Sequence, residues 1–209
     1  MLHSNEYIAA FLAVVLLAAT AAYAGDNPEE VKRRSGGGNP VAGKDKSALC
    51  QGCHGEDGNS MVPTFPRLAG QYADYIFSQI NNFQTGTRKD PTMTDMAATV
   101  TNRQDMVDIA AYFASQKQMT GTPVNNEAGA KLFRNYGCLN CHGENGKGGP
   151  ANNPIFPVIG GQHKDYLVKQ LNDFKSGARD TDMSGTMSDL TSRMTDAEIE
   201  AITDYLSGQ

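Results

Sequence analysis

The sequence contains no tryptophan, only four cysteines, and no long block of charge of one sign. Its 18 basic and 23 acidic residues give a net charge of −5, which excludes a nucleic-acid-binding protein that relies on a broad basic surface. With 39% apolar residues, the chain is too hydrophobic to be wholly disordered. Its 209 residues suit one large domain or two small ones. The aromatic content of 8% predicts that something other than Trp and Phe fills part of the interior.

The one long apolar run lies at the N-terminus, in residues 8–24. It ends in the small-x-small pattern Ala22-Tyr23-Ala24, which is typical of a signal peptidase site. No Lys or Arg lies within or before this run, although the leader of an export signal is usually basic. We expect residues 1–24 to be a cleaved signal peptide, with a retained membrane anchor as the alternative. Either one exports the rest of the protein.

The remaining chain contains an internal repeat. Residues 65–88 and 156–179 are identical at 11 of 24 positions at a constant offset of 91. Such self-similarity predicts two domains of one kind in tandem. The stretch that precedes them is rich in Gly and charge and has no apolar periodicity, which indicates a flexible lead. The predicted divisions are a flexible lead at 25–40, domains at 41–118 and 124–209, and a linker at 119–123.

Each repeat has the pattern of helices separated by loops, and strand signals are poor, so the predicted fold class is all-α. Apolar residues recur at helical spacing from Tyr72 to Phe83, and Gly86 follows as a stop. Capping boxes are predicted at Thr101 and Thr195, each opening the last helix of its repeat. A unit of about 80 residues made of short helices has a small core. A large bound apolar group would complete it.

All four cysteines lie in two copies of the pentapeptide Cys-x-x-Cys-His, which is the attachment signature of c-type haem. The two thiols of one copy add to the vinyl groups of a porphyrin, and the adjacent His donates a nitrogen to the iron. Two copies on a helical background in an exported chain predict two covalently bound haems c, one in each domain. The residues concerned are Cys50, Cys53 and His54 in the first copy and Cys138, Cys141 and His142 in the second.

Three other interpretations of the pentapeptide fit less well. A zinc ribbon needs two cysteine pairs at one site, but here the pairs are 88 residues apart in separate repeats. A thioredoxin-like pair would be a single copy next to a strand. Disulfides are compatible with export but leave the repeated His unexplained.

A sixth iron ligand decides between electron transfer and catalysis, because an open position binds substrates or gases. The four His cannot supply a second imidazole to both domains, so methionine is the remaining soft donor. Between the middle and last helices we predict loops that carry two such donors in each repeat, Met93 and Met96 in the first and Met183 and Met187 in the second. The methionines predicted to fill the core instead are Met61, Met106, Met119 and Met194.

These motifs together resemble the cytochrome c4 family, exported cytochromes c built from two class I domains. The similarity covers both Cys-x-x-Cys-His-Gly motifs, the paired Phe-Pro segments at residues 65–71 and 156–163, and both Gly-x-Arg ends. The resemblance implies His/Met ligation in both domains and favours Met93 and Met187, with Met96 and Met183 as alternates. It further implies that the carbonyls of Pro66 and Pro157 accept a hydrogen bond from the ligating His rings.

Arg88 and Arg179 end the repeated segment, and guanidinium suits a carboxylate. They are therefore candidate partners of the haem propionates, with solvated charges at a helix C-terminus as the alternative. His163 has no counterpart in the first repeat, where Tyr72 stands, and is expected to be a surface or hydrogen-bonding residue.

The expected function is a periplasmic electron carrier of the respiratory chain, not an enzyme, with iron cycling between ferric and ferrous states. The resemblance implies a quinol–cytochrome c reductase (cytochrome bc complex) as donor and a haem–copper oxidase or other terminal reductase as acceptor. Membrane association would come through such a partner or through an uncleaved N-terminal segment. The alternatives are a haem-bearing subunit of a sulfur- or alcohol-oxidising dehydrogenase, a small haem peroxidase with one vacant iron position, and a zinc-stapled structural module.

Overall fold

The computed structural model describes residues 35–149, 153, 155–181 and 185–209. The predicted signal peptide, most of the flexible lead and Met183 lie outside the described residues. The described residues form helices, turns and loops with no strand, which confirms the all-α prediction. Within these residues, no helix combines the length and the apolar character that a membrane crossing requires.

In the first repeat, the last helix forms the centre of the core. Phe113 on this helix is fully buried, and it belongs to one cluster with Ile76 and Tyr112. The last helix packs against the first and the third helices of the repeat. The helices are α1 (Pro40–Lys46), α2 (Ala48–His54), α3 (Ala73–Gln84), α4 (Pro91–Ala98) and α5 (Arg103–Ser115).

The second repeat has the same arrangement. Its last helix packs against the first and the third helices of this repeat and buries Ile202 beside Phe133 and Leu167. A short 3₁₀ turn (Glu144–Gly146) follows the second pentapeptide. The helices are α6 (Glu127–Asn135), α7 (Leu139–His142), α8 (Lys164–Ser176), α9 (Thr186–Ser192) and α10 (Asp196–Ser207).

One glycine in each repeat lets the first helix cross the last at close range. A Cβ placed on Gly43 would lie 2.0 Å from the carbonyl oxygen of Asp108 on α5. A Cβ placed on Gly129 would lie 2.1 Å from the carbonyl oxygen of Ala201 on α10. Both carbonyl oxygens belong to a helix backbone, so neither can shift to accept a Cβ without a large loss of stability. The two domains therefore share a helix crossing that only glycine allows.

The last helices begin with different caps. Thr195 forms the predicted capping box, since its side chain accepts from Glu198 N–H and the Glu198 carboxylate accepts from the Thr195 backbone N–H. The prediction at Thr101 is wrong by one residue: the cap of α5 is Asn102, whose Oδ1 accepts from Gln104 N–H at 2.7 Å. The Asn102 side chain reaches the second N–H of the helix directly. The cap therefore forms without a Gln104 side chain that binds back to the Asn102 backbone.

The methionines predicted to fill the core behave in two ways. Met106, Met119 and Met194 are buried as expected. The prediction for Met61 is wrong: this residue is 90% exposed and lies in the loop between Ser60 and Pro63.

The two repeats are held together around the linker. Met119 is fully buried and packs with Tyr72 of the first repeat and Val158 of the second. Lys147 donates to the carbonyl of Met119 at 2.8 Å, and burial, aided by repulsion from Arg67, lowers the pKa of this lysine to about 8. The interface is therefore made of buried apolar contacts and of hydrogen bonds that cross from one repeat to the other.

Candidate functional site

Both pentapeptides lie on short helices that end at the histidine. In α2, Cys50, Cys53 and His54 occupy positions i, i+3 and i+4, so their side chains project from one side of the helix. Cys141 and His142 lie on α7, and the N-cap Cys138 also has helical backbone angles, so the second set has the same geometry. All four cysteines are half-buried, and the structure pairs none of them in a disulfide.

The two histidines are buried and their rings are oriented by the backbone of the following loop. Nδ1 of His54 donates to the carbonyl of Pro66 at 2.9 Å, and Nδ1 of His142 donates to the carbonyl of Pro157 at 2.8 Å. Burial lowers the pKa of both imidazoles, although the proline carbonyl opposes this shift. Each ring is thus held neutral with its proton on Nδ1, which leaves the Nε2 lone pair for a metal.

This donor set fits a haem iron. A c-type haem needs two thiols and one imidazole whose other nitrogen is fixed, and each repeat supplies all three on one helix and the loop that follows. Burial raises the pKa of the Cys50 thiol, and it raises that of Cys138 to about 11. Within the described ranges, no group of three His, Cys, Asp or Glu side chains is arranged to hold a bare metal ion.

The three methionine candidates that the structure describes lie on helices rather than in the loops that we predicted. Met93 and Met96 are on α4, where Pro91 and the side chain of Asp90, which accepts from Met93 N–H at 3.1 Å, start a helix. Met93 is half-buried, whereas Met96 is 37% exposed. Met187 is half-buried on α9.

Arg88 and Arg179 are buried in one cluster at the junction of the repeats, which contradicts the solvated alternative. The two guanidiniums share both of their amide acceptors, the Oε1 atoms of Gln79 and Gln170. Each also donates at 3.0 Å to a tyrosine hydroxyl of the opposite repeat. The tyrosines are Tyr166 for Arg88 and Tyr75 for Arg179.

The hydrogen-bond partners of the two guanidiniums among the described residues are all neutral groups. Burial raises the pKa of Tyr75, but the guanidiniums of Arg179 and Arg88 outweigh burial, so the pKa of its hydroxyl is lowered. In the described part of the chain, neither guanidinium forms an ion pair with a carboxylate. Two buried cations with neutral partners fit a site for anionic groups, such as the propionates of two haems.

Sequence reasoning missed the glutamines of this junction. Gln79 and Gln170 share the Arg cluster, and Gln71 and Gln162 form hydrogen bonds between the repeats. The signal in the sequence is that these glutamines are identical in the two repeats at the constant offset of 91. His163 proves to be a hydrogen-bonding residue, since its Nε2 donates to the carbonyl of Ser60 at 2.8 Å.

The family profile described as cytochrome c matches the chain twice, over residues 41–117 and 126–209. Among curated proteins, the chain is similar to cytochrome c4 of Azotobacter vinelandii, with 39% identity over 82% of this chain and 89% of the relative. It is also similar to a thiosulfate dehydrogenase electron acceptor of Stutzerimonas stutzeri, with 32% identity over 82% of each.

Among solved structures, the fold is similar to reduced recombinant cytochrome c4 from Pseudomonas stutzeri. The TM-score is 0.75 at 38% sequence identity, and the match covers 82% of this chain and 98% of the other. Both repeats are included, because a match of this length cannot fall within one repeat.

Proposed function

The chain belongs to the cytochrome c4 family, and from that premise we propose that it carries electrons one at a time from a quinol–cytochrome c reductase to a terminal oxidase or reductase. It is an electron-transfer cytochrome with two covalently bound haems c, not an enzyme. The observation that carries the proposal is the duplicated pentapeptide, in which each buried His has its Nδ1 proton bound to a proline carbonyl. We place the protein in the periplasm.

In this proposal, Cys50 and Cys53 form the thioethers of the first domain, and His54 is its proximal iron ligand. Cys138, Cys141 and His142 do the same in the second domain. When bound, each haem supplies an iron that changes between the ferric and ferrous states. The chain fixes each imidazole by a backbone carbonyl, which makes the ring a stronger donor and keeps its orientation constant during electron transfer.

Met93 and Met187 are the proposed sixth ligands. Met93 is preferred over Met96 because the resemblance to the cytochrome c4 family favours it. Met93 is half-buried on α4, whereas Met96 is 37% exposed. A thioether in this position raises the reduction potential relative to a second imidazole. It also closes the iron to substrates, which separates an electron carrier from a peroxidase.

Arg88 and Arg179 are the proposed propionate partners. Their cluster holds two buried positive charges, and no described carboxylate forms an ion pair with either guanidinium, so haem propionates would compensate charges that are otherwise costly to bury. Replacing either Arg by Met would remove one cation and lower the haem potentials, as potentiometric titration would measure. Unchanged potentials in both variants would end this assignment.

Absorbance spectra of two methionine variants test the ligands. Met93→Ala and Met187→Ala should each remove half of the weak sulfur-to-iron band at the red end of the ferric spectrum. Met96→Ala is the matched control and should keep the full band. If Met96→Ala loses half of it and Met93→Ala does not, the ligand of the first domain is Met96. Cyanide binding by the resting wild-type protein would favour the peroxidase alternative.

A second partner is favoured by one comparison, the similarity to a thiosulfate dehydrogenase electron acceptor. Stopped-flow reduction by a purified cytochrome bc complex and by thiosulfate dehydrogenase with thiosulfate would rank the two donors. The net negative charge suits a basic docking face, so the faster rate should fall as ionic strength rises. A rate that does not depend on salt would contradict electrostatic steering.

A further inference from the structure

Two buried glutamines connect the repeats in the same way from opposite sides. Gln71 of the first repeat binds the backbone of Val158: its Nε2 donates to the Val158 carbonyl at 2.8 Å, and its Oε1 accepts from Val158 N–H at 2.9 Å. Gln162 of the second repeat binds Arg67, with both bonds at 2.8 Å. Both glutamines are 4% exposed. Each carboxamide thus clamps one residue of the other domain.

The clamped residue immediately follows the proline that orients a histidine. The N–H of Arg67 and the carbonyl of Pro66 belong to one planar peptide group, and so do the N–H of Val158 and the carbonyl of Pro157. At one end of this group the carbonyl accepts from His Nδ1, and at the other end the N–H donates to a glutamine. A continuous chain of hydrogen bonds therefore runs from each glutamine to the histidine of the opposite domain.

We propose that Gln71 and Gln162 are positioning residues that act across the interface, each setting the donor strength of the histidine in the other domain. Gln162 acts on His54 through the Pro66–Arg67 peptide, and Gln71 acts on His142 through the Pro157–Val158 peptide. This inference rests on the proposed roles of His54 and His142 as iron ligands.

The physical effect has a definite sign. When the N–H of a peptide group donates a hydrogen bond, the group is polarised and its carbonyl becomes a stronger acceptor. A stronger acceptor draws the Nδ1 proton away from the imidazole, which makes Nε2 a better donor. A better donor stabilises ferric over ferrous iron, so each glutamine lowers the potential of the haem in the opposite domain. Removing the glutamine raises that potential.

The same clamp fixes geometry as well as polarity. The carboxamide satisfies both the N–H and the C=O of one residue, so the peptide can neither rotate nor move away without losing buried hydrogen bonds. Among the hydrogen bonds that the structure describes, neither glutamine clamps the residue after the proline of its own repeat. Both clamps cross the interface, one in each direction.

The test compares Gln71→Leu and Gln162→Leu in the full-length protein with both haems attached. Hyperfine-shifted proton NMR resolves the ligand histidine of each haem, and potentiometric titration followed by NMR gives each potential separately. We expect Gln71→Leu to raise the potential of the second-domain haem and to shift the His142 resonances. The changes in the first domain, at His54, should be smaller. Gln162→Leu should do the reverse. Changes confined to a variant's own domain, equal changes in both domains, or no change would each overturn the proposal.

Two further variants complete the design. Gln118→Leu removes another hydrogen bond between the repeats, from Gln118 Nε2 to the Lys147 carbonyl, and should leave both potentials unchanged. If it shifts them as much as the two test variants do, interface loosening explains the effect and the proposal fails. If a leucine variant does not accumulate, Gln71→Asn or Gln162→Asn, whose shorter carboxamide withdraws from the peptide, should give a smaller shift in the same direction.

The ligand roles are checked separately from the clamp. His142→Ala and His54→Ala should each convert one haem from low-spin to a spectrum without axial imidazole. If they do so and the crossed shifts are absent, the clamp proposal alone is wrong. If they do not, the ligand assignment is wrong and the clamp proposal falls with it. Faster hydrogen exchange at Val158 N–H in Gln71→Leu gives a readout that needs no potential.

Discussion

The two domains share their chemistry but differ in net charge and in the contacts around their last helices. Both place a Cys-x-x-Cys-His motif on a short helix, and both cross the first and last helices at a glycine. Residues 41–118 carry a net charge of −1, whereas residues 124–209 carry −3. Leu49, which precedes the first motif, and Met61, in the loop after it, are 67% and 90% exposed. The haem-binding motifs and the glycine crossing are thus shared by the two repeats, whereas their net charges differ.

The shared glycine crossing should give the largest stability effects and the most similar ones. Gly43→Ala and Gly129→Ala each drive a Cβ into a helix carbonyl, so we expect each to lower the free energy of unfolding of its domain by about 2–4 kcal/mol. Thermal unfolding followed by circular dichroism measures both. Gly37→Ala is the control, because nothing lies within 4 Å of its Cβ. Equal, small effects at all three positions would refute the close crossing.

Asp108 and Ala201 occupy the same place in the two domains, since the backbone carbonyl of each faces the crossing glycine. Ala201 has no carboxylate, so the side-chain contacts of Asp108 have no counterpart in the second domain. Asp108 accepts hydrogen bonds from Lys46 Nζ, Asn39 N–H and Gln104. The bond from Lys46 is the main reason why its pKa falls to about 2, with the other two bonds adding to the effect. Asp108→Asn should therefore destabilise only the first domain, by roughly 1–3 kcal/mol at neutral pH.

The pH dependence of this difference has a fixed sign. Because the pKa of Asp108 is lower in the folded protein, its ionised carboxylate stabilises the fold. This contribution is complete above the unfolded-state pKa of about 3.9 and is lost as the pH falls toward about 2. The gap between wild type and Asp108→Asn should therefore close between about pH 4 and 2. Denaturant titrations at a series of pH values measure it. A gap that is constant through this range would show that the charge of Asp108 does not matter.

The smallest effects should come from the helix caps, where the domains again differ. Thr195 has a reciprocal capping box and Asn102 has a single bond. We expect Thr195→Ala to cost about 1–2 kcal/mol and Asn102→Ala about 1 kcal/mol or less. Urea denaturation of the two variants tests the order. A larger loss for Asn102→Ala would show that the Glu198 contact adds nothing.

Sequence patterns predicted what depends on neighbours along the chain. The helices, the Thr195 capping box and the haem motifs are local, so period and spacing identify them. The cap at Asn102 was missed because two adjacent residues can both cap, and only the backbone angles decide between them. The helix that carries Met93 was missed because Asp90 and Pro91 start it within a segment of weak apolar periodicity.

Contacts between the repeats could not be derived in this way. The burial of Arg88 and the clamp of Gln71 on Val158 depend on how two folded domains meet, about 90 residues apart in sequence. The repeated identity of these residues marked them as special without saying what they touch. Met61 shows the reverse error: the polar Arg88 proved to be buried, whereas the apolar Met61, which was predicted to be buried, is exposed.

The most direct test of the account is the haem content of the purified protein. After extraction with acidic organic solvent, the pyridine haemochrome spectrum should still give two haems per protein chain, because four thioether bonds hold them. Variants that lack the cysteines of one motif should retain one. A protein without a Soret band, or one whose pigment is removed by the solvent, would contradict the central claim that each domain binds a covalent haem.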